Sequence, residues 1–165
     1  MEINRVVVGS LRENCYILSI DNDVLIIDPG DEYEKIIDTV NGKNILGILI
    51  THHHFDHVGA LKHFNNVIYD YNNLSEKSYT IGKFNFDVIY TPGHTMDSIC
   101  FYFKEDNVMF TGDFIFKGTI GRTDLGGNDI DMGKSLNKIS KYDGSIKIYP
   151  GPGDYTYLKD EKKEV

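Results

Sequence analysis

Apolar residues come in short bursts along the first 28 positions: Ile3 to Val8, Cys15 to Ile20 and Val24 to Ile27. Bursts of this length, broken by polar residues, predict strands in a meander, with Asp21-Asn22-Asp23 as a turn and Asp28-Pro29-Gly30 as a stop. The period then changes. From Asp31 to Val40 the apolar positions Tyr33, Ile36, Ile37 and Val40 recur at helical spacing; Asp31 and Glu32 open the segment and Gly42 follows it, which predicts a surface helix. Ile45 to Ile50 reads as a buried strand running straight into Thr51-His52-His53-His54-Phe55-Asp56-His57, with a short helix from about Asp56 to Phe64 expected next.

Val67 to Tyr90 is strand-like, Phe84, Phe86, Val88 and Tyr90 alternating with polar neighbours until Thr91-Pro92-Gly93-His94 breaks the run. Ile99 to Phe103 and Val108 to Phe110 add two strands joined by the polar turn Lys104 to Asn107. Gly118 to Gly127 reads as a loop, Ile130 to Ser140 as a helix, Ile146 to Tyr149 as a strand, and Tyr155 to Glu164 as a terminal helix. Two groups of strands with helices between and after them predict sheets packed face to face with helices outside.

The chain has 165 residues, 41% of them hydrophobic and 25% charged, which predicts one globular domain over 1–165. No apolar stretch approaches the roughly 20 residues of a spanning helix, and the N-terminus shows no basic-then-apolar leader; a cytoplasmic protein with no membrane partner is expected. A net charge of -8 and only three arginines, Arg5, Arg12 and Arg122, argue against nucleic acid as a partner. Cys15 and Cys100 have no CxxC companion and are expected as buried reduced thiols. A small-molecule substrate is left as the expected partner, with oligomeric state open.

Five of the six histidines fall in two short segments, His52 to His57 and His94, each just after a predicted strand. Residues two apart in an extended turn point the same way, so His52 and His54 can face one ion while His53 points elsewhere. Asp56 and His57, at the following helix start, can face the same pocket. Imidazoles with carboxylates suit zinc, iron or manganese.

THxHxDH after one strand, TPGHT after a second and Thr111-Gly112-Asp113 after a third resemble, in order and context, the metallo-β-lactamase superfamily. Asn14-Cys15-Tyr16-Ile17-Leu18, Ile27-Asp28-Pro29-Gly30 and Gly121-Arg122-Thr123-Asp124 extend the resemblance from Glu13 to about Glu164. It implies an α/β (α+β) fold, a four-layer αββα sandwich with metal at one edge of the sheets. It further implies that His52, His54 and His94 hold a first ion, that Asp56 and His57 serve a second, and that Asp113 bridges them. Asp28 and Thr51 would support the ligands from behind; His53 would lie outside, and His63 on the surface.

One position departs from the pattern. Where the family carries a metal-binding histidine in a segment like YPGHGP, this chain has Tyr149-Pro150-Gly151-Pro152-Gly153-Asp154. Pro152 cannot ligate, so the expected cofactor is zinc as one or two ions, or iron or manganese, with the second site weakened. Water fills the gap, or Asp154 swings in, or one ion is retained.

The segment Gly118 to Asp129 resembles small, single-domain hydroxyacylglutathione hydrolase (glyoxalase II-like) proteins, which implies thioester hydrolysis by a metal-activated water. Asp56, if freed from coordination, would act as general base. Arg122 would hold a substrate carboxylate, unless it pairs with Asp124 or a loop carbonyl. The resemblance leaves two alternatives: a mononuclear iron persulfide dioxygenase, and a degenerate member that binds metal without turnover.

Overall fold

The computed structural model describes residues 1–162. The meander expected at the N-terminus is present as β1 (Glu2–Val8), β2 (Glu13–Ile20) and β3 (Asp23–Ile27), antiparallel throughout. Helix α1 (Tyr33–Val40) returns the chain so that β4 (Asn44–Leu49) runs parallel to β3, and β5 (Ile68–Tyr69) runs parallel to β4. The first sheet thus has the order β1-β2-β3-β4-β5.

A second sheet is built from β6 (Ser78–Ile81), β7 (Phe84–Tyr90), β8 (Ile99–Phe103), β9 (Val108–Gly112), β12 (Lys147–Pro150) and β13 (Thr156–Tyr157), in the order β13-β12-β9-β8-β7-β6. β12 lies parallel to β9 because helix α3 (Asp129–Ile139) crosses between them; its Asn128 cap accepts the Asp131 N–H. Leu18, Leu25, Ile27 and Leu49 of the first sheet pack on Phe84, Phe86, Phe101 and Phe110 of the second. The outer face of the first sheet, with Ile17, Ile26 and Ile48, is covered by Ile36 and Val40 of α1. The outer face of the second, with Cys100, Met109 and Ile148, is covered by Met132, Leu136 and Ile139 of α3. These are the four αββα layers, and strands buried on both faces explain the near-continuous apolar run of β2. Both cysteines are buried and free.

Four sequence expectations change. The helix expected from Asp56 to Phe64 is only α2 (Phe55–Val58) followed by a 3₁₀ turn at Leu61–His63. The Ala60 N–H, which would have continued the helix, donates instead to the Pro29 carbonyl at 3.0 Å. The Pro29-Gly30 turn passes so close that a Cβ at Gly30 would strike the Asp56 carbonyl, and one at Gly59 the Gly30 carbonyl. Val67 to Tyr90 is not one strand: a turn around Tyr71 to Ser75 separates β5 from the β6–β7 hairpin. The glycine-rich loop contributes β11 (Thr119–Ile120), which pairs with β10 (Ile115–Phe116). The terminal helix is reduced to α4 (Leu158–Glu161), since Thr156 and Tyr157 pair with β12; Lys163 and Glu164 of that expectation lie outside the described residues.

Candidate metal centre

Strand polarity gathers the polar residues. β3, β4, β7, β9 and β12 all end at one edge of the sandwich, delivering Asp28, Thr51-His52, His94, Asp113 and Gly151 there, and antiparallel β2 begins at the same edge with Glu13.

In the first cluster every histidine has one ring nitrogen tied down and the other turned inward. His94 Nδ1 donates to the Arg122 carbonyl at 2.7 Å, and His54 Nε2 to the Leu125 carbonyl at 3.3 Å. Thr51 gives its hydroxyl proton to Asp28 Oδ2 at 2.6 Å, which leaves its oxygen to accept from His52 Nδ1 at 3.0 Å. The three rings therefore present His52 Nε2, His54 Nδ1 and His94 Nε2 to a common point, as ligand histidines held by outer partners do. His94 Nε2 lies 3.2 Å from His54 Nδ1 and 3.4 Å from Asp113 Oδ2, and His52 Nε2 lies 3.8 Å from that oxygen. Four ligands on a tetrahedral ion with bonds of about 2.0–2.1 Å would sit roughly 3.3 Å apart.

The second cluster surrounds His57, which is fully buried. Its Nδ1 donates to Asp28 Oδ2 at 2.8 Å. Its Nε2 faces three carboxylates: Glu13 Oε2 at 2.9 Å, Asp113 Oδ1 at 3.0 Å and Asp56 Oδ2 at 3.7 Å. Burial pushes the Glu13 carboxyl up to about 8. Burial opposes protonation of His57 as well, but the Asp28 carboxylate and the acids close to the ring outweigh it and hold it above its ordinary value. His52 is driven down by burial. Partial burial works against ionisation of Asp113 too, but the His57 and His94 rings beside it hold its carboxyl well below the usual carboxylate range.

Four buried atoms here have no hydrogen-bonding partner among the described residues: Glu13 Oε1, His52 Nε2, His57 Nε2 and Asp113 Oδ1. Buried polar atoms are rarely left unpaired. Their identity, imidazole nitrogen and carboxylate oxygen, and their spacing fit divalent cations; His52, His54 and His94 form one ligand-spaced group, and Glu13, Asp56, His57 and Asp113 another.

All six residues expected as ligands are thus brought together. His53 points away and pairs with Asp70 at 2.9 Å, and His63 is exposed beside Tyr33. Arg122 lies in the cleft, but its Nε and Nη2 form a fork with Asp124 at 2.6 and 2.7 Å. Glu13 is the residue that sequence reasoning missed. The signal that could have found it is an acidic side chain opening a strand that reads as buried on both faces.

A family model described as the metallo-beta-lactamase superfamily matches residues 8–68 and 70–153. The chain belongs to the metallo-beta-lactamase superfamily. Metal-dependent hydrolases are typical of this superfamily. Hydroxyacylglutathione hydrolase GloC of Haemophilus influenzae is similar at 31% identity, covering 99% of this chain and 96% of that protein. The crystal structure of BLEG-1 B3 metallo-beta-lactamase matches with a TM-score of 0.90 at 30% identity over 98% of this chain and 97% of that one. TTHA1623, solved in a di-iron-bound form, matches with a TM-score of 0.86 at 30% identity over 96% of each chain.

Against the superfamily pattern, the Pro152 departure is visible in three dimensions. Asp154 does not swing in toward the centre: it is exposed and paired with Arg5 at 3.1 Å. Across the sheet edge from the gap stands Glu13, bridged to Pro152 through the backbone.

Proposed function

We propose that this protein hydrolyses a small thioester at the His52, His54, His94 and Asp113 centre, in the manner of the hydroxyacylglutathione hydrolases it resembles. The observation that carries the proposal is the fixed inward aim of the three imidazoles beside Asp113, opening onto a cleft of about 340 Å³ lined by Leu11, Phe55, Asp56, Arg122 and Leu125. The full-length likeness to GloC supports the substrate class. A divalent metal held by these residues supplies Lewis acidity toward a carbonyl and a water of lowered pKa.

The chain's own residues do the rest. Leu11, Phe55 and Leu125, all exposed on the cleft rim, offer an apolar wall to an acyl or thiol chain. Asp56 projects into the cleft from the first turn of α2; with only the first ion bound its carboxylate is free to take a proton from the attacking water and pass it to the departing thiolate, and with a second ion bound it serves as a ligand instead. Arg122 keeps Nη1 free of hydrogen bonds among the described residues and can meet an acidic end of the substrate.

The test is hydrolysis of S-lactoylglutathione by the zinc- and the manganese-loaded protein, with oxygen uptake on glutathione persulfide measured alongside. Thioester turnover without oxygen uptake is expected, and Asp56→Asn at full metal occupancy should lower kcat about 10²- to 10⁴-fold, the usual scale of general acid–base catalysis. Oxygen uptake in place of hydrolysis would replace the proposal with persulfide oxidation, and inactivity in both assays would replace it with metal binding alone.

A further inference from the structure

The chain lacks a histidine at Pro152, and the fold sets a carboxylate beside the gap. We propose that Glu13 replaces that histidine as a ligand, completing with Asp56, His57 and Asp113 an oxygen-rich second cation site. The proposal deepens the metal-dependent reading above and rests on it.

The backbone places Glu13 with little freedom. Glu13 and Pro152 form an antiparallel bridge, the Asn14 N–H donates to the Gly151 carbonyl at 2.7 Å, and the Asn14 side chain donates to the Gly153 carbonyl at 2.7 Å. The start of β2 is thereby stitched to the turn that carries the missing ligand. From there the Glu13 side chain, 2% exposed, reaches inward to His57. Gly151 makes the room: a Cβ there would stand 2.7 Å from Glu13 Oε1 and strike Asp113 Oδ1.

The plainer reading is an ion pair in which protonated His57 donates to Glu13. The geometry opposes it. Although Glu13 Oε2 and Asp113 Oδ1 lie 2.9 and 3.0 Å from His57 Nε2, that nitrogen has no hydrogen-bonding partner, so both oxygens flank its N–H axis and neither sits on it. Ligands around a shared ion are arranged in this way, each lone pair aimed past its neighbours. Glu13 Oε1 is likewise buried and unpartnered.

Charge leads to the same place. Glu13, Asp28, Asp56 and Asp113 bring four carboxylates to this one edge. Two divalent cations balance four such charges once the ligands are deprotonated, as metal binding requires. Three oxygens and one nitrogen also form a harder donor set than three imidazoles and a carboxylate, so relative to the first site the second should favour manganese or iron(II) over zinc.

The experiment is a Mn²⁺ titration of the chelator-stripped full chain, read by free-Mn²⁺ electron paramagnetic resonance and by elemental analysis. The wild type is expected to take up two Mn²⁺. Glu13→Gln should weaken the second by at least a hundredfold while moving the first less than threefold, and Glu13→Gln with Pro152→His should restore the second ion with a preference shifted toward Zn²⁺. Two ions bound by Glu13→Gln within threefold of wild type would overturn the proposal. So would one ion in the wild type at saturation; if His52→Ala then removes that ion, the metal-centre reading survives and only the Glu13 role is lost. No uptake by the wild type would defeat both. Should Glu13→Gln not fold, anomalous diffraction from Mn²⁺-soaked wild-type crystals decides: a second peak at bonding distance from a Glu13 oxygen supports the assignment, and a second peak with Glu13 turned away overturns it.

Discussion

Asp28 is the residue on which both clusters lean, and Asp28→Asn isolates what its charge and its acceptors do. The carboxylate accepts from the Thr51 N–H at 2.8 Å, the Thr51 hydroxyl at 2.6 Å and His57 Nδ1 at 2.8 Å. The substitution is close to isosteric, and Asp28 sits at φ 52°, a left-handed conformation that Asn tolerates well, so the backbone is not the variable. An amide offers one acceptor face, and either placement sets its NH₂ against a donor. With the NH₂ toward His57, the ring must move its proton from Nδ1 to Nε2, which aims a hydrogen into the second cluster and removes a ligand lone pair. Hydrogen bonds to charged groups contribute about 1.5–3 kcal/mol each, so losing one or two should cost the metal-free protein roughly 1.5–6 kcal/mol. Loss of a partner behind a ligand typically costs tenfold to a hundredfold in metal affinity. Urea denaturation of the stripped protein and a competition titration against a chelator measure the two effects separately. Stability within about 0.5 kcal/mol of wild type together with affinity within twofold would show that the Asp28 hydrogen bonds do not set the histidine tautomers.

The remaining expectations follow from the same geometry. Between pH 6.5 and about 8, Glu13 and His57 are both raised in the folded state, so the folded protein holds more protons than the unfolded chain, and stability must fall as pH rises through that window. Lowered groups do not cancel this: His52 takes back about half a proton at pH 6.5 and fades within roughly a unit above it, and Asp113 acts only in the acid range. The denaturation midpoint of the stripped protein should therefore drop from pH 6.5 to 8, and saturating Mn²⁺ should remove the slope; a flat or rising midpoint without metal refutes the protonation scheme. Gly151→Ala, whose new methyl would collide with Asp113 and crowd Glu13, should abolish uptake of a second ion while the first binds within about tenfold of wild type, read by elemental analysis. Arg122→Gln should raise KM for S-lactoylglutathione several-fold with kcat unchanged; an unchanged KM would leave Arg122 only its pairing with Asp124.

Legibility in the sequence tracked how local each cause was. His52 and His54 could be paired from an i, i+2 relation in an extended turn, and the structure keeps that relation, with His53 pointing at Asp70. His94 and Asp113 could be placed because each follows shortly after the end of an apolar strand, and strand ends survive whatever the strands pair with. The helix after His57 could not be bounded, because its stop is a carbonyl from Pro29, delivered by a different strand. The same distinction explains Glu13. Reading the chain at Pro152 shows a lost ligand and looks for a substitute nearby, which points to Asp154; that side chain is instead held outside by Arg5. The substitute comes from the opposite end of the sequence, across a backbone bridge that only the sheet arrangement creates. A donor lost at one strand end can be replaced from any other strand that ends at the same edge. A proline at a ligand position is therefore evidence about that position and not about the ion, and the question to ask is which buried acid, beyond the ligands already expected, has an oxygen without a partner. In this protein that acid is Glu13.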